Sequence, residues 1–316
     1  MLLCCGEALI DMIPAPTVTG SAGYVPHCGG AVFNTAIALG RLGVRTGMLT
    51  GLSTDLFGQK LTAALEASHV EATHVIHSER PTTLAFVTLI DGHATYAFFD
   101  ENSAGRMLRP SDIPALPADV TALYLGGISL TCEPCADAYA SLASREAAGR
   151  VIMLDPNIRP DFIRDTDRYR DRLDGMIAQA DIVKVSDEDL NWIHPGPEPL
   201  PDKLAMLRAA GPSVVILTCG ADGSTAFLAG AEVSVAVERV EVVDTVGAGD
   251  TFNAGVLARL SEMGLLTKEA LAQISPDDMR AALAFGARVA AVTVSRAGPN
   301  PPWSHEVRSR REQGVK

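Results

Sequence analysis

The chain has 316 residues, 47% of them hydrophobic and 20% charged, with 26 Lys+Arg against 38 Asp+Glu for a formal charge of −12. That composition belongs to a folded globular protein, and the acidic balance excludes a nucleic-acid or membrane-surface binder, since both need a basic face. No stretch approaches the roughly 18 apolar residues of a membrane span, and the start, MLLCCGEALIDMIPAP, carries Glu7 and Asp11 instead of a basic leader, so the expected address is the cytosol.

Short β-prone runs alternate with helical patterns along the chain. LLCCG and ALIDMI near the start, then TGMLTGL, TALYLGG (121–127), VIMLD (151–155), DIVKV (181–185) and SVVILT (213–218), read as strands. Residues 31–42, 56–68, 133–149, 168–179 and 202–210 read as helices, the first with Phe33, Ile37 and Leu42 at helical spacing. Near-continuous apolar strands separated by helices predict a parallel sheet covered on both faces, an α/β chain in three α/β/α layers. One segment departs from the alternation. TTLAFVTLI (82–90) and HATYAFF (93–99) flank Asp91-Gly92, a pair suited to the positive φ angles of a tight hairpin turn. Such a hairpin is either a flap or an antiparallel extension of the main sheet. HPGPEPLP (194–201) is a connecting loop by composition.

Six cysteines in a chain this long make no disulfide framework. Cys132 and Cys135 form a C-x-x-C: a redox pair, half of a zinc site without a matching second half, or two reduced thiols near a helix start. Pro299, Pro301 and Pro302 close the folded part. The tail, 303–316, with Arg308, Arg310, Arg311 and Lys316, reads as a frayed end.

The chemistry concentrates in VEVVDTVGAGDTFNAGVLARL (240–260). VEVV reads as a strand, and GAGD opens an amphipathic helix with Phe252, Val256 and Leu260 on one face. Gly247, Ala248 and Gly249 at a helix start leave N–H groups unpaired, and with the positive helix end they form an anion site suited to a nucleotide γ-phosphate. Taken alone, Asp250 in the first turn is an N-terminal helix charge worth a few tenths of a kcal/mol to about one. Beside an anion site, its carboxylate can also accept the proton of an alcohol that attacks phosphorus.

DTVGAGDTFNAG (244–255) resembles the C-terminal signature of the ribokinase-like (PfkB) carbohydrate kinases. CGGAVFNTAIALGRLG (28–43), followed by GLSTDLFG (51–58), resembles the N-terminal one, and the likeness runs from GEALID to SRAGPNPPW. The rival GxxxxGK[ST] phosphate loop and the GxGxxG dinucleotide fingerprint do not occur. The resemblance implies a ribokinase-like domain over 1–302, with a small β-sheet lid built from about 12–27 and 82–99. It implies Asp250 as catalytic base and Gly247, Ala248 and Gly249 as anion hole. Asp11, Gly29, Gly30 and Asn34 would face the sugar. Arg159, in DPNIRP (155–160), would reach the substrate or the transferred phosphate; its alternative is a surface ion pair. Lys184, Ser186, Thr218, Gly220 and Gly223 would serve the nucleotide. KVSDED (184–189) stands where relatives carry N-x-x-E, so Asp189 would reach magnesium through water, and Asp244 with Val246 would hold a monovalent cation such as potassium. DPNIRP, KVSDED and SRAGPNPPW together resemble the bacterial fructokinase subgroup. That likeness implies ATP-dependent phosphorylation of the 6-hydroxyl of D-fructose by a homodimer joined through its lids. A ketodeoxygluconate kinase, a ribokinase or a non-catalytic sugar-binding relative are the alternatives.

Overall fold

The computed structural model describes residues 1–90 and 93–307. The chain begins with β1 (Leu2–Cys5), leaves for β2 (Leu9–Pro16) and β3 (Ala22–Gly29), and enters α1 (Ala31–Arg41). Next come β4 (Thr46–Leu49), β5 (Gly51–Ser53), α2 (Leu56–Ala67), β6 (Val70–Glu71), β7 (Ile76–Ser78), β8 (Leu84–Ile90) and β9 (His93–Phe99). The βα repeats follow as β10 (Ala122–Gly126), α3 (Cys135–Glu146), β11 (Val151–Asp155), α4 (Thr166–Ile177), β12 (Ile182–Ser186), α5 (Asp187–Ile193), α6 (Leu200–Ala209) and β13 (Val214–Thr218). An antiparallel pair, β14 (Ser224–Leu228) and β15 (Ala231–Val235), precedes α7 (Ala248–Glu262), α8 (Lys268–Ala272) and α9 (Pro276–Val294).

Nine strands form the central sheet in the order β15-β14-β13-β12-β11-β10-β1-β4-β6, parallel from β6 to β13. The two-residue period of the strands divides the core in two. Leu2, Cys4, Tyr124, Met153 and Ile216 face α1, α2, α7, α8 and α9, whereas Leu3, Cys5, Leu125, Leu154 and Leu217 face α3, α4, α5 and α6. That two-sided burial explains the unbroken apolar runs in the sequence.

The segments expected to form a lid pair in a separate four-stranded sheet, β3-β2-β8-β9. β8 and β9 are antiparallel with Ile90 opposite His93, so the hairpin extends no edge of the central sheet. The Asp91-Gly92 turn itself lies outside the described residues.

Two expectations change. VEVV is not a strand: Val242 and Val243 are about 60% exposed, in irregular chain between β15 and α7. Its backbone bonds go to a helix end instead of a strand: the Val243 and Asp244 N–H groups donate to the Val294 carbonyl at the end of α9, at 2.8 and 3.2 Å. The start of the tail is not frayed. Pro301, Pro302 and Val307 are buried, Trp303 packs edge-on against His69 at 5.5 Å with Arg41 over its ring, and Glu306 pairs with Arg296. Residues 308–316 lie outside the described residues. Cys132 and Cys135 are buried free thiols at the start of α3, and among the described residues no cluster of three His, Cys, Asp or Glu is disposed to hold a metal. Among the same residues, no helix is long and apolar enough to cross a membrane.

Candidate active site

Strand order reverses at β1, which lies between β10 and β4. An open α/β sheet leaves its crevice at such a switch point, outside the carboxyl ends of the strands. A cavity of about 360 Å³ opens there. Asp155 at the end of β11, Lys184 of β12, Asn157, Arg159, Phe162 and residues 245–250 line one side, and Leu9, Asp11 and Phe98 of the small sheet line the other.

Gly247 caps α7 with φ 78°, and a Cβ there would stand 3.1 Å from Pro299. Conformation and space both favour glycine. The Ala248 N–H donates to the Thr245 carbonyl at 3.2 Å, while those of Gly249 and Asp250 have no acceptor among the described residues, as first-turn amides do not. At the positive end of a 15-residue helix these amides favour an anion.

Asp250 turns its side chain towards α1. Asn34 Nδ2 donates to its Oδ2 at 2.9 Å, and Thr35 Oγ1 donates to its backbone carbonyl at 3.1 Å. Enclosure by protein pushes the Asp250 carboxyl up to about 7; the Asn34 bond and Lys184 oppose the rise, while the charges of Asp155 and Glu7 add to it.

A buried polar cluster lies beside the base. Lys184 Nζ donates to Asp155 Oδ2 at 3.2 Å, and Asn253 Nδ2, one turn further along α7, donates to the same oxygen at 2.6 Å and to the Tyr124 hydroxyl at 3.0 Å. Asp155 Oδ1 and Asn253 Oδ1 are buried without a partner among the described residues. Burial alone would lower the Lys184 ammonium, but Asp155, Asp189 and Asp250 outweigh it and hold the group above its ordinary value. Its Nζ lies 3.6 Å from where a Cβ on Gly249 would be, so a fixed positive charge borders the amide nest.

On the opposite wall, burial pushes the Asp11 carboxyl up to about 6. A Cβ on Gly29 would come within 2.0 Å of Asp11 Oδ2, so any side chain there would push the Asp11 carboxylate from its place. Gly30 caps α1 and borders the cavity.

The cavity thus brings together Asp11, Gly30, Arg159, Lys184, Val246, Gly247, Ala248, Gly249 and Asp250, with Asn34 bonded to Asp250 and Gly29 against Asp11. Other candidates stand apart. Thr218, Gly220 and Gly223 lie at and beyond the carboxyl end of β13, on the same rim but outside this cavity. Ser186 and Asp189 cap α5 reciprocally: the Asp189 N–H donates to Ser186 Oγ at 3.0 Å, and the Ser186 N–H donates to Asp189 Oδ2 at 3.1 Å. The remaining Asp189 oxygen accepts from the Ile158 N–H at 2.8 Å. Buried with both oxygens occupied, Asp189 fastens the DPNIRP loop to β12 and is ill placed to reach an ion. Asp244 likewise accepts from the Val246 and Gly298 N–H groups, tying two loops together.

Sequence reasoning missed Glu7, Asp155, Asn157, Phe98, Phe162 and Asn253. Glu7 joins three elements, accepting from the N–H groups of Ala31 and Ser129 at 3.0 and 3.3 Å. Asp155 and Asn157 were visible inside DPNIRP, and Asn253 inside the GAGD signature. Phe98 and Phe162 are adjacent only in space.

Comparison with known proteins agrees with this arrangement. Residues 1–306 match the pfkB family carbohydrate kinase profile. A fructokinase of Rhizobium leguminosarum bv. trifolii is 50% identical over 281 residues, covering 89% of this chain and 86% of that protein. The structure of a fructokinase with bound ATP from Xylella fastidiosa superposes with a TM-score of 0.91 at 27% identity, over 100% of this chain and 99% of the other. An aminoimidazole riboside kinase of Salmonella enterica, complexed with its riboside and an ATP analogue, gives 0.82 at 26% identity over 98% of each chain. With its signatures converging on one cavity and the family profile spanning nearly its whole length, the chain belongs to the pfkB family of carbohydrate kinases.

Proposed function

We propose that the protein is a cytosolic, ATP-dependent fructokinase that transfers the γ-phosphoryl group to the 6-hydroxyl of D-fructose. The observation that carries this reading is the meeting of an open amide nest, a buried lysine and a raised carboxylate at one end of a cavity whose other end is walled by Asp11 and Phe98. Half identity to a bacterial fructokinase over most of both chains supports the choice of sugar.

In this mechanism the Gly249 and Asp250 amides and Lys184 take the terminal phosphates, and Arg159 meets the transferred group. Asp11 and Asn34 bind sugar hydroxyls and direct O6 towards phosphorus. As the O6–P bond forms and the bond from phosphorus to the β-phosphate oxygen breaks, Asp250 accepts the O6 proton. An alcohol is a far weaker acid than Asp250, so the proton moves late, and positioning and charge neutralisation supply most of the acceleration. Magnesium carried by the nucleotide would neutralise phosphate charge while needing only one or two carboxylates. The free Asp155 Oδ1 suits it, and the occupied Asp189 does not. Potassium by Asp244 and Val246 would have to share oxygens that already accept two N–H groups. Thr218, Gly220 and Gly223 would meet the nucleotide further along the rim.

A coupled ADP-release assay over fructose, ribose, ketodeoxygluconate and aminoimidazole riboside, in potassium and in sodium salts, tests the assignment. Fructose is expected to give the highest kcat/KM; a clear preference for another acceptor overturns the substrate.

The same reading includes a homodimer through the lids. Tyr24, Phe86 and Phe99 form an edge-to-face chain with centroids 5.0 and 5.4 Å apart, and Tyr24 and Phe99 are about half exposed. An apolar face of this kind on a thin sheet favours a partner. Light scattering at micromolar concentration should give twice the 33.2 kDa chain mass, and Phe99→Glu should halve it. A monomeric wild type refutes the dimer.

A further inference from the structure

GLSTDLFG (51–58) has no residue in the cavity, yet it holds the root of the lid. Asp55 caps α2, its Oδ1 accepting from the N–H groups of Phe57 and Gly58 at 3.0 and 2.8 Å. The same carboxylate reaches across to Thr82, two residues before β8. Oδ1 accepts from Thr82 Oγ1 at 2.6 Å, and Oδ2 accepts from the Thr82 N–H at 2.9 Å. A helix cap needs only the first pair of bonds. The second pair joins the lid to the body.

The neighbouring bonds continue from that point. Thr83 Oγ1 donates to Ser103 Oγ at 2.8 Å, so the chain entering the hairpin and the chain leaving it are tied together. The Ala104 N–H donates to the Pro81 carbonyl at 2.9 Å. The Thr83 carbonyl accepts from the Ile10 N–H at 3.0 Å, and Ile10 precedes Asp11. Thr82, Thr83 and Ser103 are all less than a tenth exposed, so the Thr83–Ser103 bond lies out of water and the Asp55–Thr82 bonds are partly shielded from it. From this root three strands run side by side, with Asp11 opposite Ala85 and Ala85 opposite Phe98. Asp11 and Phe98 are the lid residues that border the cavity together with Leu9. A change in the angle of the root therefore moves both at once.

We propose that GLSTDLFG is the socket of the lid, and that Asp55, gripping Thr82, is a positioning residue that fixes Asp11 and Phe98 over the sugar without touching it. The proposal rests on the sugar-kinase reading above. It predicts an effect on the acceptor side of the reaction and not on the nucleotide side, whose residues hang on α7 and β12. A loosened lid also admits water, the competing acceptor.

Thr82→Val removes one bond to Asp55 while keeping the branched shape, the backbone N–H and the α2 cap. The expected result is a KM for fructose raised about tenfold, since small displacements of positioning groups have effects of that order or larger. KM for ATP and Tm should stay near wild type, and the ratio of ATP hydrolysed to sugar phosphorylated should rise. Asp55→Asn should repeat the selective rise in fructose KM and also lower Tm through the weakened cap. An unchanged fructose KM and ATP-to-sugar ratio in both variants overturns the proposal, as does an equal rise in both KM values with a fall in Tm for Thr82→Val. Wild-type activity on the sugar panel tests the kinase reading separately. Should another sugar prove the substrate, the same comparison is made with that sugar.

Discussion

Replacing Asp250 by asparagine should lower kcat by about a hundred- to ten-thousand-fold, the usual contribution of a general base, while fructose binding measured by calorimetry persists. The same substitution should make the protein more stable. In the folded state the Asp250 carboxyl is pushed up to about 7 from an ordinary 3.8, first by burial and then by the neighbouring charges of Asp155 and Glu7. Below about pH 4 both folded and unfolded chains carry the proton, and the group is neutral in both. Between about 4 and 7 the unfolded chain loses its proton while the folded one keeps it, so stability falls as pH rises and levels off above 7. A three-unit rise corresponds to a cost on the order of 4 kcal/mol, an upper figure because the site is partly open to screening solvent. Asparagine carries no such charge. Its gain in Tm over wild type should therefore be largest at pH 8, smaller at pH 5.5 and absent near pH 4. In wild type, kcat/KM should fall on the acid side of about pH 7 as the base is protonated. A variant with normal kcat ends the base assignment, and a variant whose Tm does not exceed wild type at pH 8 shows that Asp250 is not destabilised in the folded chain.

Much of this architecture was legible because local and global patterns agree. VIML in VIMLD and VVIL in SVVILT are unbroken apolar runs, and in the fold they are covered on both faces. Asp-Gly between two β-prone runs gave the hairpin, since turn geometry depends on the residues of the turn. VEVV misled for the complementary reason. β-propensity depends on tertiary context: AEVSV finds a partner in β14, whereas the Val243 and Asp244 N–H groups go to the Val294 carbonyl at the end of α9. The site divides in the same way. Gly247 could be read because a tight helix start constrains its own residues, and Asp250 because the resemblance to the family's C-terminal signature gives a first-turn aspartate a role it does not show alone. Asp155, Phe98 and Glu7 act through partners 29, 64 and 24 positions away, as with Lys184 for Asp155, Phe162 for Phe98 and Ala31 for Glu7. No local pattern encodes such a partner. Asp189 shows the limit of transferring a role by position: one methylene shorter than glutamate, it folds back onto the Ser186 and Ile158 amides and becomes a capping residue.

Lys184→Met should lose both activity and stability, and a compensating change should restore only the second. Lys184 and Asp155 are less than a tenth exposed and form an ion pair at 3.2 Å. Removing the ammonium leaves the Asp155 carboxylate in the core with Asn253 as its remaining donor among the described residues. Breaking a buried pair in this way costs about 3–5 kcal/mol. Asp155→Asn in the same chain makes the pair neutral and should recover most of the lost Tm, so the two substitutions are strongly non-additive in stability. Activity follows a different rule. The lysine borders the amide nest, where the transferring phosphoryl group gathers charge, and no neutral side chain replaces a cation there. Loss of one such preorganised group lowers kcat by about a hundred- to a thousand-fold. The double variant should therefore melt close to wild type and remain at least that much slower, with fructose KM little changed because Asp11, Asn34 and the lid are intact. Thermal melts and kcat on all four members of the cycle decide the matter. Because Asp155→Asn also removes the carboxylate that would serve magnesium, kcat of the double variant is compared with that single variant: equal rates reduce Lys184 to a structural counter-charge for Asp155, and a slower double variant with recovered Tm places the lysine's charge in the reaction itself.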